Sequence, residues 1–108
     1  MLKRTHNCGE LKKKNLDKTV TLNGWVNKVR FHGQVVFVDL RDRYGKTQLV
    51  FNSDTFPEEF ENIKKISMED VLAVRGKVQA RDTNAVNPDM DTGEIEVAVS
   101  EYRMLSEA

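Results

Sequence analysis

A chain of 108 residues is long enough for one domain with one modest core. Its single cysteine excludes an internal disulfide, no apolar run reaches the ~20 residues that span a bilayer, and the opening MLKRTHNC is too charged for the apolar stretch of a secretory signal; a soluble, reducing, cytoplasmic setting is expected. Seventeen basic residues balance seventeen acidic ones, but residues 1–50 hold eleven Lys and Arg against four Asp and Glu, and residues 51–108 hold six against thirteen, so the N-terminal half can attract a polyanion while the whole stays neutral.

In chain order, KKK at 12–14 reads either as the solvated face of a short helix or as part of that cationic surface. The apolar period is then two. TVTLNGWVNKVR, VVFVDLRD and TQLVFN read as three strands of a meander, with a turn at DRYG. In DTFPEEFENIKKI the period changes, Phe56, Phe60 and Ile63 falling at i, i+4 and i+7. Thr55 and Glu58 fit a capping box with Pro57 in the first turn, which predicts a helix. DVLAVRGKVQAR and GEIEVAVSEYRML return to alternation around the polar DTNAVNPDMDTG, long for a hairpin.

An all-β chain of five strands, with one or two short helices and one of them between strands 3 and 4, has the order of an OB-fold, a Greek-key barrel. Gly24 and Gly76 inside strands match the bends or bulges a barrel needs. A five-stranded sheet packed on one helix satisfies much of the same pattern.

Alternation also sorts the faces. Val36, Val38 and Leu40 point inward, as do Thr47, Leu49 and Phe51, then Leu72, Val74, Val78 and Ala80, then Ile95, Val97 and Val99. Phe37, Asp39, Gln48, Gln79, Arg81 and Glu96 therefore point outward, whereas a bulge in the first strand could turn Trp25 or Arg30 either way. One aromatic ring among Arg, Lys, Gln and Glu suits unpaired nucleotides: the ring covers a base, an amide or carboxylate meets its edge, and cations meet phosphate. A lone outward Phe can equally be covered by a loop or a neighbouring domain. His6 and Cys8 lack a second pair at zinc-site spacing, so no metal site is expected. Asp39, Asp42 and Asp82 beside Arg41, Arg43 and Arg81 read as surface ion pairs. No Gly-rich phosphate loop and no catalytic constellation is present.

RTHNCGEL, VTLNGWVNKVRFHG, VFVDLRDRYGKTQLVF, VRGKVQARD and NPDMDTGEIEV together closely resemble the N-terminal anticodon-binding domain of bacterial-type aspartyl-tRNA synthetases, over about residues 3–103. The resemblance implies an OB-fold that reads a tRNA anticodon stem-loop, with Phe37 stacking on the central uridine, Gln48 bonding its edge, Arg30 close by, and Arg81, Asn87 and Glu96 near the outer bases. Phe31 and His32 stand where the family has a specificity loop. His rather than Leu at position 32 accompanies members that also accept asparagine tRNA. The basic triplet usual before that loop is KVR here, and Phe31 replaces an Asp, so Phe31 is either a second stacking ring or a hydrophobic plug.

On this resemblance residues 1–104 form the anticodon-binding domain, and 105–108 begin a linker to a catalytic domain absent from this chain. No catalysis and no cofactor are expected of the chain itself; ATP and magnesium belong to that absent domain. The isolated domain is expected to be monomeric, its parent a cytoplasmic homodimer. Lysyl- and asparaginyl-tRNA synthetases carry related barrels, but RDR-x-G and DMDTGEIEV favour the aspartyl type. From another class, a free-standing OB module that binds single-stranded nucleic acid generally, or a protein partner, fits the same face.

Overall fold

The computed structural model describes residues 2–108; Met1, which opens the MLKRTHNC stretch, lies outside them. β1 (Thr19–His32), β2 (Val35–Asp42) and β3 (Gly45–Asn52) form the meander, α1 (Phe60–Ile63) follows, and β4 (Val71–Ala80) and β5 (Ile95–Ser106) complete a closed barrel in the order β1-β2-β3-β5-β4. β1 closes the ring. Its first half pairs with β4 from Thr19↔Lys77 to Trp25↔Val71 and its second half with β2 from Trp25↔Arg41 to His32↔Val35, so the strand changes neighbours at Trp25. Four of the pairings are antiparallel; β3 and β5 run parallel through Leu49↔Val97 and Val50↔Ala98. This is the five-stranded OB-fold, and closure rules out an open sheet laid on one helix.

The core follows the alternation. Leu22, Val26, Val36, Val38, Leu40, Leu49, Phe51, Leu72, Val74, Val78, Ile95 and Val97 are wholly buried. Ala80 departs from it: β4 ends there, and Ala80 is exposed while the following Arg81 is buried. Gly33 turns β1 into β2 at φ +61°, a left-handed conformation that suits glycine. Gly76 sits at a register shift between β4 and β5, where a Cβ would run into the Ala98 carbonyl oxygen.

The helix is shorter than its period predicts. α1 is a single turn with Glu59 at its N-cap and no side-chain cap, so the capping box at Thr55 and Glu58 does not form. Asn52 organises the segment instead: its carbonyl accepts from the N–H groups of Thr55 and Phe56 at 3.0 and 3.2 Å, and its side-chain oxygen from Asp54 N–H at 2.9 Å. These turns set Phe56 against Phe51 and Tyr102, with ring centres 6.1 and 5.6 Å away. Aromatic packing here outweighs a few tenths of a kcal/mol per residue of helix propensity.

Candidate nucleic-acid interface

Phe37 and Asp39 alternate with buried Val36 and Val38 on β2, and Gln48 lies between buried Thr47 and Leu49 on β3, so all three stand on the outside of the barrel. Asp39 and Gln48 are direct register partners. The β1–β2 register slips between Val26 and Lys28, leaving Asn27 as an extra residue, and beyond this bulge Arg30 pairs with Phe37. That settles the orientation of Arg30: it shares the outer face with Phe37. Glu96 comes from β5, and Arg81 from just beyond β4.

These residues enclose a cleft of about 360 Å³ lined by Arg30, Phe37, Gln48, Arg81 and Glu96, with Asp82 and Ala85 at its margin. The Arg30 guanidinium carbon lies over the Phe37 ring, 5.5 Å from its centre. One Arg30 Nη donates to Gln48 Oε1 at 2.5 Å, Gln48 Nε2 donates to Glu96 Oε1 at 2.9 Å, and Gln79 Nε2 donates to Glu96 Oε2 at 2.6 Å. Both ends of the Gln48 amide are thus occupied. Arg81 is held by the chain around it, its Nε donating to Ile95 O at 2.9 Å and its two Nη to Ala85 O and Met90 Sδ at 3.4 and 3.6 Å. Burial lowers the Arg81 guanidinium from its ordinary value, while Asp39 and Glu96 hold it up and Arg30 lowers it further.

Sequence reasoning places Gln48 and Arg81 outward. They do lie on that side, but they are only 3% and 7% exposed, because Arg30 and Glu96 cover Gln48 and the β4–β5 loop wraps Arg81. Phe37 is half-buried. Asn87 does not line the cleft: its side chain accepts from Asp89 N–H at 3.0 Å and its own N–H donates to Gly93 O at 3.0 Å, so it shapes the β4–β5 loop. Phe31 and His32 are exposed at the tip of β1, and Phe31, 58% accessible, is no hydrophobic plug.

The three aspartates do not form the expected surface ion pairs with Arg41, Arg43 and Arg81. Asp42 is buried, accepting from the N–H groups of Cys8, Tyr44 and Gly45 at 2.8, 2.8 and 3.2 Å; Asp82 caps the 3-10 turn Thr83–Ala85 through Asn84 N–H; and Asp39, 8% exposed, stands beside Gln48 in register with Oδ1 4.0 Å from an Arg30 Nη. Asp39 is the site residue that sequence reasoning missed, although its alternation with Phe37 marked it. Of the three consecutive lysines, Lys12 donates to Asp91 O at 2.6 Å and Lys13 pairs with Glu94 at 3.4 Å, tying the N-terminal segment to the β4–β5 loop. Among the described residues no helix is long and apolar enough to cross a membrane.

A closed five-stranded barrel whose outer face gathers one aromatic ring, a glutamine, two arginines and a glutamate is a nucleic-acid-binding OB-fold. The chain belongs to the OB-fold nucleic acid binding domain family of the tRNA anticodon type, whose model matches residues 20–105. It is 50% identical over 107 residues to the aspartate–tRNA(Asp/Asn) ligase of Desulfatibacillum aliphaticivorans and 52% identical over 97 residues to that of Ehrlichia ruminantium (strain Gardel), covering 99% and 90% of this chain. The chain spans only 18% and 16% of those relatives. Among solved structures it resembles the aspartyl-tRNA synthetase of Entamoeba histolytica, with TM-score 0.86, 30% identity, and coverage of 99% of this chain and 22% of that one. An OBody bound to hen egg-white lysozyme matches with TM-score 0.82 at 27% identity, over 98% of this chain and 96% of that one.

Proposed function

We propose that this chain reads the anticodon loop of a tRNA for a longer aspartate–tRNA ligase, with the outer-face cleft as the seat of the central base. The observation that carries the reading is the juxtaposition of Phe37, Arg30 and Gln48 in one cleft. Phe37 supplies a face for stacking, and the Gln48 amide offers one donor and one acceptor to the edge of a uridine. Arg81 and Glu96 flank it and meet a neighbouring base, while Asn87 acts through the shape of the β4–β5 loop. Phe31 and His32 at the β1–β2 tip reach the loop from the other side. Since the relatives are named as ligases for both tRNA(Asp) and tRNA(Asn), the same breadth is proposed for the parent.

The chain supplies recognition, and attachment of aspartate falls to the rest of the longer protein. ATP and magnesium would be held there, because these residues do not fit them: no Gly-rich phosphate loop is present, and no cluster of three His, Cys, Asp or Glu stands together among the described residues. A monomeric domain within a homodimeric cytoplasmic parent completes the proposal. Titration of the 108-residue chain with anticodon stem-loops that differ only in the central base tests it. Tighter binding of the uridine form, with log affinity falling against log salt at about −0.7 per phosphate contact, is expected. Indifference to the base would identify a general single-strand binder, and no binding at all would leave the face to a protein partner.

A further inference from the structure

Arg30 occupies the ground a base would need. Its guanidinium covers the Phe37 ring at 5.5 Å, and its Nη holds the Gln48 carbonyl oxygen, the acceptor that a uridine N3–H would seek. A base that stacks on Phe37 and bonds to Gln48 must displace this cation. Beside it lies a carboxylate held only by a long ion pair: Asp39 Oδ1 is buried without a hydrogen-bond partner, 4.0 Å from the same Arg30 Nη. The groups facing Asp39 are Arg30 from β1, Gln48 from β3, and Arg81 from beyond β4, whose donors already go to Ile95, Ala85 and Met90. Arg30 is the cation of the group whose head bonds only to the Gln48 amide, and its Nη already stands 4.0 Å from Asp39 Oδ1.

Resting on the anticodon reading above, we infer that Arg30 is a placeholder for the central base and Asp39 its receiving carboxylate: on binding, Arg30 passes from Gln48 to Asp39, freeing the Phe37 face and the Gln48 oxygen together. Asp39 is therefore a positioning residue that acts through Arg30 and touches no base. The exchange replaces a bond from cation to neutral amide by a charge–charge bond, which offsets the displacement of Arg30. No net charge moves into or out of the cleft.

The test is a cycle of the parent chain, Asp39→Asn, Arg30→Ala and the double variant, each titrated with the uridine- and cytidine-centred stem-loops. Asp39→Asn keeps the shape of the side chain. It is expected to weaken uridine binding about tenfold in the parent and less than twofold once Arg30 is absent. Equal losses in both backgrounds, or no loss in the parent, would overturn the exchange while the uridine preference of the parent left the anticodon reading intact; a parent indifferent to the central base would overturn both. Should Asp39→Asn fail to fold, the Arg30 Nε–H resonance of the unsubstituted chain answers the question instead. Sharpening and slowed hydrogen exchange of that resonance on addition of the uridine stem-loop support the passage to Asp39, and broadening with faster exchange, as for a side chain released to water, refutes it.

Discussion

Gln48 Nε2 donates to Glu96 Oε1 at 2.9 Å, bridging β3 and β5 where those strands run parallel. Recognition and barrel closure therefore share a residue. Gln48→Ala leaves Glu96 and Arg30 each one partner short and is expected to lower stability by about 1–2 kcal/mol, read as a lowered urea midpoint at unchanged slope. It should also shrink the preference for uridine over cytidine, since stacking accepts either pyrimidine and only the edge contact separates them.

Phe37→Ala behaves in the opposite way. The half-buried ring leaves no closed core cavity, so stability should fall by about 1 kcal/mol, against the roughly 3–5 kcal/mol of a buried Phe. Affinity for the stem-loop should drop by about 1–3 kcal/mol. Calorimetric unfolding beside binding titration checks both, and a large loss of stability at constant affinity would make Phe37 part of the core.

At Gly76 the barrel has no room for a side chain, because the Ala98 carbonyl lies where a Cβ would be. Gly76→Ala is expected to cost about 2–3 kcal/mol through displaced backbone at the β4–β5 bulge. Thermal unfolding measures it; a neutral substitution would show that the bulge adapts.

Asp70 gives the fold an acid-sensitive joint. Burial alone would raise its carboxyl, but the N–H groups of Ala108 and Ser67 and the Ser67 hydroxyl hold it below its usual range. A carboxyl depressed in the folded state stabilises above its unfolded value, about 3.9, and loses that contribution as pH falls through the lower folded value. Asp70→Asn should be less stable than the parent at pH 7, and the gap should narrow below about pH 4. Denaturant midpoints at the two pH values decide it, and a constant gap would remove the linkage.

Cys8 is fully buried beside Asp42; burial first, then that carboxylate, pushes its thiol well above the ordinary range. It should resist an aromatic disulfide reagent at pH 8 in the folded chain and react promptly in urea. Rapid labelling without denaturant would mean that the N-terminal segment lifts away from the barrel.

The five strands along the chain, the core set apart from Ala80, and the outward placement of Phe37, Gln48 and Glu96 were legible, because each depends on a period of two within one segment. The burial of Gln48, Asp39 and Arg81 was not, since their cover arrives from β1, β5 and the β4–β5 loop, far away in sequence. Asp39 looked like one half of a surface pair beside Arg41, and nothing local shows that its nearest cation is Arg30. The helix was overread for a similar reason: Thr55, Pro57 and Glu58 favour a start there, but Phe56 finds Phe51 and Tyr102 only in the folded barrel. Asn87 shares the loop of Arg81 without sharing its cleft.

Asn27 has a consequence that concerns count rather than chemistry. Before it, the even-numbered residues Val20, Leu22 and Val26 face the core; after it, Val29 packs against the core and the even-numbered Lys28 and Arg30 face out. The residue works as a phase shifter between the half of β1 that closes the barrel and the half that carries the cleft. Many side chains could stand at that half-buried position, but none could be omitted: a deletion there would put the two halves of one strand in competition for the same face, and either the core or Arg30 would lose its place. The identity of position 27 is free to drift, and its existence is not.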